Sequence, residues 1–233
     1  MNLDEDYHVH STFSDDAVST LAENVQVAAD RGLRTLCVAE HVRQDTAWVP
    51  GFAAAVDQHR GRPGLRVLAG VEAKLWDSSG RLDLPAALDG IDLVLVADHQ
   101  FPADNGPVHP DEVRTAIARG GMTATEAIER LCEATARAVS SGVLLAHLFS
   151  LLPKIGLDEG MVPDTLLADL ATRVARAGAL AEVNEKWSCP SPRTAAVLAR
   201  AGVRLVAGSD SHHCRDIGRY DRWVRPALAA ASA

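Results

Sequence analysis

Six of the nine histidines in this chain close apolar, strand-like runs. They are His8 and His10 in DYHVHS, His41 in LCVAEH, His99 in LVLVADH, His147 in VLLAH and His212 in LVAGSDSH. Glu72 closes another such run, RVLAGVE, and Asp210 stands two residues before His212. Imidazole and carboxylate are the ligand types of zinc, manganese and iron. His8 and His10 are two apart on a strand, so both side chains fall on one face and can chelate one ion. The first loop, Ser14-Asp15-Asp16, offers further carboxylates. Side chains from the ends of separate parallel strands can meet at the open face of a barrel, and such a set describes a multinuclear metal site in a hydrolytic enzyme.

The elements that must position these residues can be read from the same rows. Seven short apolar runs, at 5–10, 34–40, 66–72, 91–97, 143–147, 179–184 and 203–209, have the near-continuous hydrophobicity of parallel strands covered on both faces. Helical stretches lie between them. Residues 20–31 run into Gly32, and 122–141 start near Thr123 or Thr125 as N-cap; 164–177 stop at Gly178 and 192–201 at Gly202. Ligands after most strands favour a (β/α) barrel of seven units, slightly distorted, over an open sheet with a single switch point. The chain reads as one domain over 1–233. Residues 100–121 are the least regular and read as a long loop that covers a substrate or is a plain surface insertion.

With 233 residues and 47% hydrophobic content, one core is readily built. There is no apolar run of membrane-spanning length, and the opening MNLDEDYHVH is polar and acidic rather than a signal peptide. Cys37, Cys132, Cys189 and Cys214 form no CxxC pair, which fits a reducing, cytoplasmic setting. A net charge of −8 without a basic run disfavours binding to a nucleic-acid backbone. It leaves room for a small anionic substrate, because bound metal ions invert the local charge.

The motif series DYHVHSTFSDD, AEH, GVEA, ADH, AHL and GSDSH spans residues 6 to 213 and resembles the PHP (polymerase and histidinol phosphatase) family, in the family's order. The resemblance implies a distorted (β/α)7 TIM-like barrel holding two to three divalent transition-metal ions (Zn, Mn or Fe). It places His8, His10, Glu72 and Asp210 about the first ion. Glu72 would bridge to a second ion completed by His99 and His147. A third would be held by Asp15 or Asp16, His41 and His212. Glu40 stands where many members have Asp before the histidine. Asp15 fits one form of the first-loop motif and Asp16 the other, and sequence leaves both open.

The chemistry expected of that set is phosphoester hydrolysis, with Glu72 and Asp210 as the carboxylates on which catalysis depends and a metal-bridging hydroxide as nucleophile. No GxSxG elbow and no cysteine with a paired base offers a side-chain nucleophile. Arg43, Lys186 and then Arg215 are the candidates to grip phosphate oxygens, and His213 and Glu185 are in reach as proton donors near the substrate. Lys74 and Lys186 just past strand ends, like Arg43, read equally as solvated charges. Trp48, Trp76 and Trp187 follow strand ends and read either as scaffold or as a stacking wall for the organic moiety. The leading expectation is a phosphomonoesterase for a small phosphorylated metabolite, histidinol phosphate being one candidate. Nucleotide phosphodiesterase or exonuclease activity, an amidohydrolase-like C–N hydrolase and a non-catalytic PHP binding module are the alternatives.

Overall fold

The computed structural model describes residues 1–231. In chain order the elements are β1 (Glu5–Val9), α1 (Leu21–Asp30), β2 (Thr35–Val42), α2 (Val49–Asp57), β3 (Arg66–Lys74) and β4 (Leu93–Ala97). A hairpin, β5 (Phe101–Ala103) and β6 (Gly106–Val108), leads into α3 (Pro110–Ala118) and α4 (Ala124–Ala138). The remainder is β7 (Val143–Ala146), α5 (Leu151–Lys154), α6 (Asp164–Ala177), β8 (Leu180–Asn184), α7 (Pro192–Arg200), β9 (Arg204–Gly208) and α8 (Val224–Ala231).

Seven strands form one parallel sheet in the order β1-β2-β3-β4-β7-β8-β9. The sheet curls until its edges meet just beyond β9: Val9 bridges Ser211 in parallel, and the His10 N–H donates to the Ser211 carbonyl at 2.8 Å. Buried Asp6 fastens the same seam by accepting the N–H groups of Ser209 (2.9 Å) and Gly218 (2.8 Å). The seven strands match the seven apolar runs of the sequence, and the result is a distorted TIM-like barrel. Among the described residues no helix is long and apolar enough to cross a membrane.

Local sequence explains the helix ends. Thr20 and Thr123 each close a capping box with the glutamate three residues on, and Gly178 ends α6 in the left-handed conformation. Ser191 caps α7 with Pro192 in its first turn. Within the barrel, inward positions alternate along each strand: Cys37, Ala39 and His41 on β2, Leu68, Gly70 and Glu72 on β3. Apolar side chains including Leu68, Leu95, Leu144 and Val206 fill the lower interior, leaving the strand C-termini to polar groups. Helices α4, α6, α7 and α8 pack outside one arc of the sheet, and α1 and α2 outside another.

The 100–121 stretch departs from the expected irregular loop. It folds as the β5–β6 hairpin, turning through Asp104 and Asn105, followed by α3, whose N-terminal N–H of Asp111 is accepted by His109. Three-residue strands carrying Pro102 and Pro107 give no periodic signal, which explains the difference. Helix α2 was also not legible, because VPGFAAAVD mixes glycine and proline into its first turn without a side-chain cap.

Candidate metal centre

Nine of the ten residues expected as ligands converge at the C-terminal mouth of the barrel. Glu72 is their centre and is buried at the end of β3. Its two carboxylate oxygens face different partners. Oε2 lies 2.9 Å from His41 Nδ1, 3.3 Å from His8 Nε2 and 3.5 Å from His10 Nε2. Oε1 lies 2.9 Å from His147 Nε2 and 3.2 Å from His99 Nε2. Asp210 Oδ1 is 3.5 Å from His10 Nε2 and 3.3 Å from His212 Nδ1. Asp16 Oδ2 lies 3.2 Å from His212 Nε2 and 3.5 Å from His41 Nε2. Asp15 lines the same cavity, but among the described residues no ion pair joins it to these histidines.

Backbone geometry helps aim these groups. His147 and Asp210 both sit at positive φ, 31° and 52°, where most L-residues are strained, so the chain bends sharply as it leaves β7 and β9. Burial opposes charge throughout the cluster, yet mutual attraction wins for most members. Burial works against the Glu72 carboxylate, but His8, His99, His147 and His41 hold its pKa well below the usual range. Asp210 is likewise held low, against its burial, by His8 and His10. Burial works against the charge on His147 too, but Asp98 and Glu72 raise it to about 10. Burial dominates at His10, which is depressed to about 3 and so stays a neutral imidazole.

Three facing atoms, His8 Nε2, His10 Nε2 and Glu72 Oε2, are buried and make no well-aligned hydrogen bond among the described residues, the 2.9 Å contact of Glu72 Oε2 with His41 Nδ1 being out of line. Buried polar atoms are nearly always paired, and orphaned donor atoms pointing at one another are what a divalent cation satisfies. Four overlapping groups meet the geometry of an ion site: His8 with His10 and Glu72, Glu72 with His99 and His147, His10 with His41 and His212, and His8 with His147 and Asp210.

An outer layer holds these side chains. Fully buried Glu182, in the middle of β8, lies 3.1 Å from His8 Nδ1 and accepts the N–H of His147 at 2.7 Å and the Asn184 amide at 2.9 Å. A carboxylate on the far nitrogen of a ligating imidazole fixes its tautomer and orientation. Glu40 accepts the Ser11 N–H (3.0 Å) and the Ser14 hydroxyl (2.6 Å), and Ser14 in turn accepts the His41 N–H (3.0 Å). Asp98 accepts the Ser150 hydroxyl at 2.6 Å beside His147. Sequence reading missed Glu182. Its one signal is an acidic residue placed mid-run in ALAEVN, inside a strand that is otherwise apolar up to Asn184.

A cavity of about 340 Å³ opens onto the cluster, lined also by Arg43, Lys74, Lys186 and Trp187. Lys186 Nζ lies 3.1 Å from Asp210 Oδ1 and 3.2 Å from His212 Nδ1. The Trp187 indole donates to Asp210 Oδ2 at 2.6 Å. The other two tryptophans that follow strand ends do not line this cavity: Trp48 packs edge-on and tilted among Phe13 and Phe52, and Trp76 sits beside Lys74 and Arg81. His213 and Arg215 line a neighbouring cavity of about 740 Å³ rather than this one. Glu185 also lines that second cavity, and its carboxylate accepts the N–H groups of Arg222, Trp223 and Val224 at the start of α8.

Comparison with known proteins agrees with this geometry. A probable phosphatase of Caldanaerobacter subterraneus subsp. tengcongensis is 26% identical over 237 residues, covering 94% of this chain and 80% of that one. A probable phosphatase of Vibrio vulnificus is 27% identical over 236 residues, covering 95% and 82%. The fold is similar to that of histidinol phosphate phosphatase from Lactococcus lactis subsp. lactis, solved in complex with zinc, L-histidinol and phosphate. The two superpose with a TM-score of 0.66 at 16% identity, over 98% of this chain and 90% of that one. Residues 6–152 match the family model of the PHP domain, and the chain belongs to that family and is a hydrolase.

Proposed function

We propose that this protein is a metal-dependent phosphatase that hydrolyses the phosphomonoester of a small metabolite. The observation that carries the reading is the division of Glu72, whose two oxygens face two separate sets of histidines. On this reading two to three Zn, Mn or Fe ions are held by His8, His10, Glu72 and Asp210, by Glu72, His99 and His147, and by Asp16, His41 and His212. Asp16 is preferred to Asp15 because its carboxylate reaches both histidines of the third group. Bound there, divalent ions would acidify a water to serve as nucleophile at neutral pH and would offset the charge of the phosphoryl oxygens.

The chain's own residues do the rest. Glu182 and Asp98 keep the His8 and His147 rings in register. Arg43 and Lys186, on the lip of the cavity, take the outer phosphate oxygens, and Trp187 holds Asp210 while walling one side. Burial pushes Cys132 up to about 12 and Cys189 well above the ordinary range, so neither of these thiols competes as nucleophile. The test is hydrolysis of phosphomonoester and phosphodiester panels with Mn, Zn and Fe added back. Glu72→Gln should lower kcat by at least about 10²-fold, near 2.7 kcal/mol, with the fold retained. A protein loaded with two or more ions that hydrolyses no phosphomonoester would overturn the proposal.

A further inference from the structure

All three lysines of this chain, against 20 arginines, gather on the face of the barrel that carries the histidine–carboxylate cluster. Lys74 and Lys186 line the cavity above the cluster. Lys154 lines a further cavity of about 570 Å³ that shares Lys74 and His99 with the first, so the two adjoin. The far wall of this extension comes from α3, through His109, Asp111 and Arg114. The segment inserted between β4 and α4 therefore builds a compartment beside the reaction site.

The charges there are unevenly matched. Arg114 pairs with Asp111 at 2.6 Å and donates to the Lys154 carbonyl at 3.5 Å. The Lys74 ammonium has a distant partner, Asp83 at 3.8 Å. Half-buried Lys154 has no carboxylate within ion-pairing distance among the described residues; its ammonium rests 4.0 Å over the Trp187 ring. Trp187 itself faces the metal cavity. A partly desolvated ammonium held in place by an aromatic face, on which Asp98, Asp210 and Glu72 act only from beyond ion-pairing distance, leaves room for an anion arriving with a ligand. Lysine suits this task, since its compact charge on a flexible stem accepts carboxylate and phosphate alike.

We propose that Lys154, with Lys74 and Arg114, forms a subsite for a second anionic group on the organic part of the substrate. The substrate class is then a doubly anionic small molecule, either a phosphorylated carboxylate or a bisphosphate. This inference rests on the phosphatase reading above.

Three phosphonates that cannot be hydrolysed test it: butylphosphonate, 4-phosphonobutyrate and butane-1,4-bisphosphonate, titrated calorimetrically into the zinc-loaded protein. At least one of the two doubly anionic probes should bind about tenfold or more tighter than butylphosphonate. Whichever gains more identifies the second group as carboxylate or phosphate. Lys154→Met keeps the apolar stem on Trp187 and removes the charge, and it should abolish most of that advantage. Equal binding of all three probes overturns the subsite while leaving the phosphatase reading intact. An advantage that survives in both Lys154→Met and Arg114→Ala overturns it as well. Binding of none of the three overturns the phosphatase reading and the subsite with it.

Discussion

Gly208 bears on the candidate centre through Glu182, the carboxylate behind His8 and His147. A Cβ built on it would lie 1.8 Å from Glu182 Oε1, 2.7 Å from Cδ and 3.0 Å from Cγ, so Gly208→Ala cannot coexist with Glu182 in place. The methyl group must displace the carboxylate or push β9 away from β8. Displacement frees His8 Nδ1 and leaves the buried His147 N–H without its 2.7 Å acceptor. Overpacking and an orphaned buried donor together should destabilise the fold by about 2–4 kcal/mol, a fall in Tm of roughly 5–15 °C. Loss of the carboxylate behind a ligating histidine should weaken metal binding by about 10- to 100-fold. Chelator competition measures the affinity and calorimetry the Tm. Glu182→Asp shortens the acid by one methylene, so the double variant with Gly208→Ala should recover part of both losses, with a coupling of about 1 kcal/mol or more. Gly208→Ala with parental Tm and parental metal affinity would refute the reasoning.

Three further outcomes follow from the geometry. Asp16→Ala should lose roughly one bound ion per chain while Asp15→Ala keeps the full complement, since only Asp16 reaches His41 and His212; elemental analysis showing equal content in both variants would reverse the choice. In chelator-stripped protein the carboxylates around His8 and His147 overcome burial and raise both imidazoles; His147 is raised to about 10 and so is protonated at pH 8. Loading with zinc at that pH should therefore release about one proton or more, and affinity should rise with pH; titration in buffers of different ionisation enthalpy would expose a value near zero. Cys37, Cys132 and Cys189 are buried and only Cys214 is partly exposed, so Ellman's reagent should find one fast thiol in the native protein and four after denaturation. Two or more fast thiols would contradict the packing around β2, α4 or the loop between β8 and α7.

The strand count, the barrel and the residues of the cluster were legible in the sequence for one physical reason. A parallel strand covered on both faces must be apolar along its length, so a histidine or acid that ends such a run stands out against it. The helix ends at Gly32, Thr123 and Gly178 were legible because capping is local chemistry. The hairpin and helix of 101–118 were not, since Pro102 and Pro107 hide the strands and their packing decides the fold.

Tertiary structure alone decided what depends on distance between segments far apart in the chain. It separated Asp16 from Asp15, which are neighbours in sequence but differ in reach to His212, 196 residues away. It placed Trp187 and not Trp48 or Trp76 on the cavity, moved His213 and Arg215 to the adjoining groove, and turned Glu185 onto the amides that open α8. It also brought Glu182 behind His8, 174 residues apart, in a space that exists because position 208 carries no side chain. Residue type and local period are written along the chain, whereas which side chain stands behind which ligand is fixed only when the sheet closes and its strands take their register.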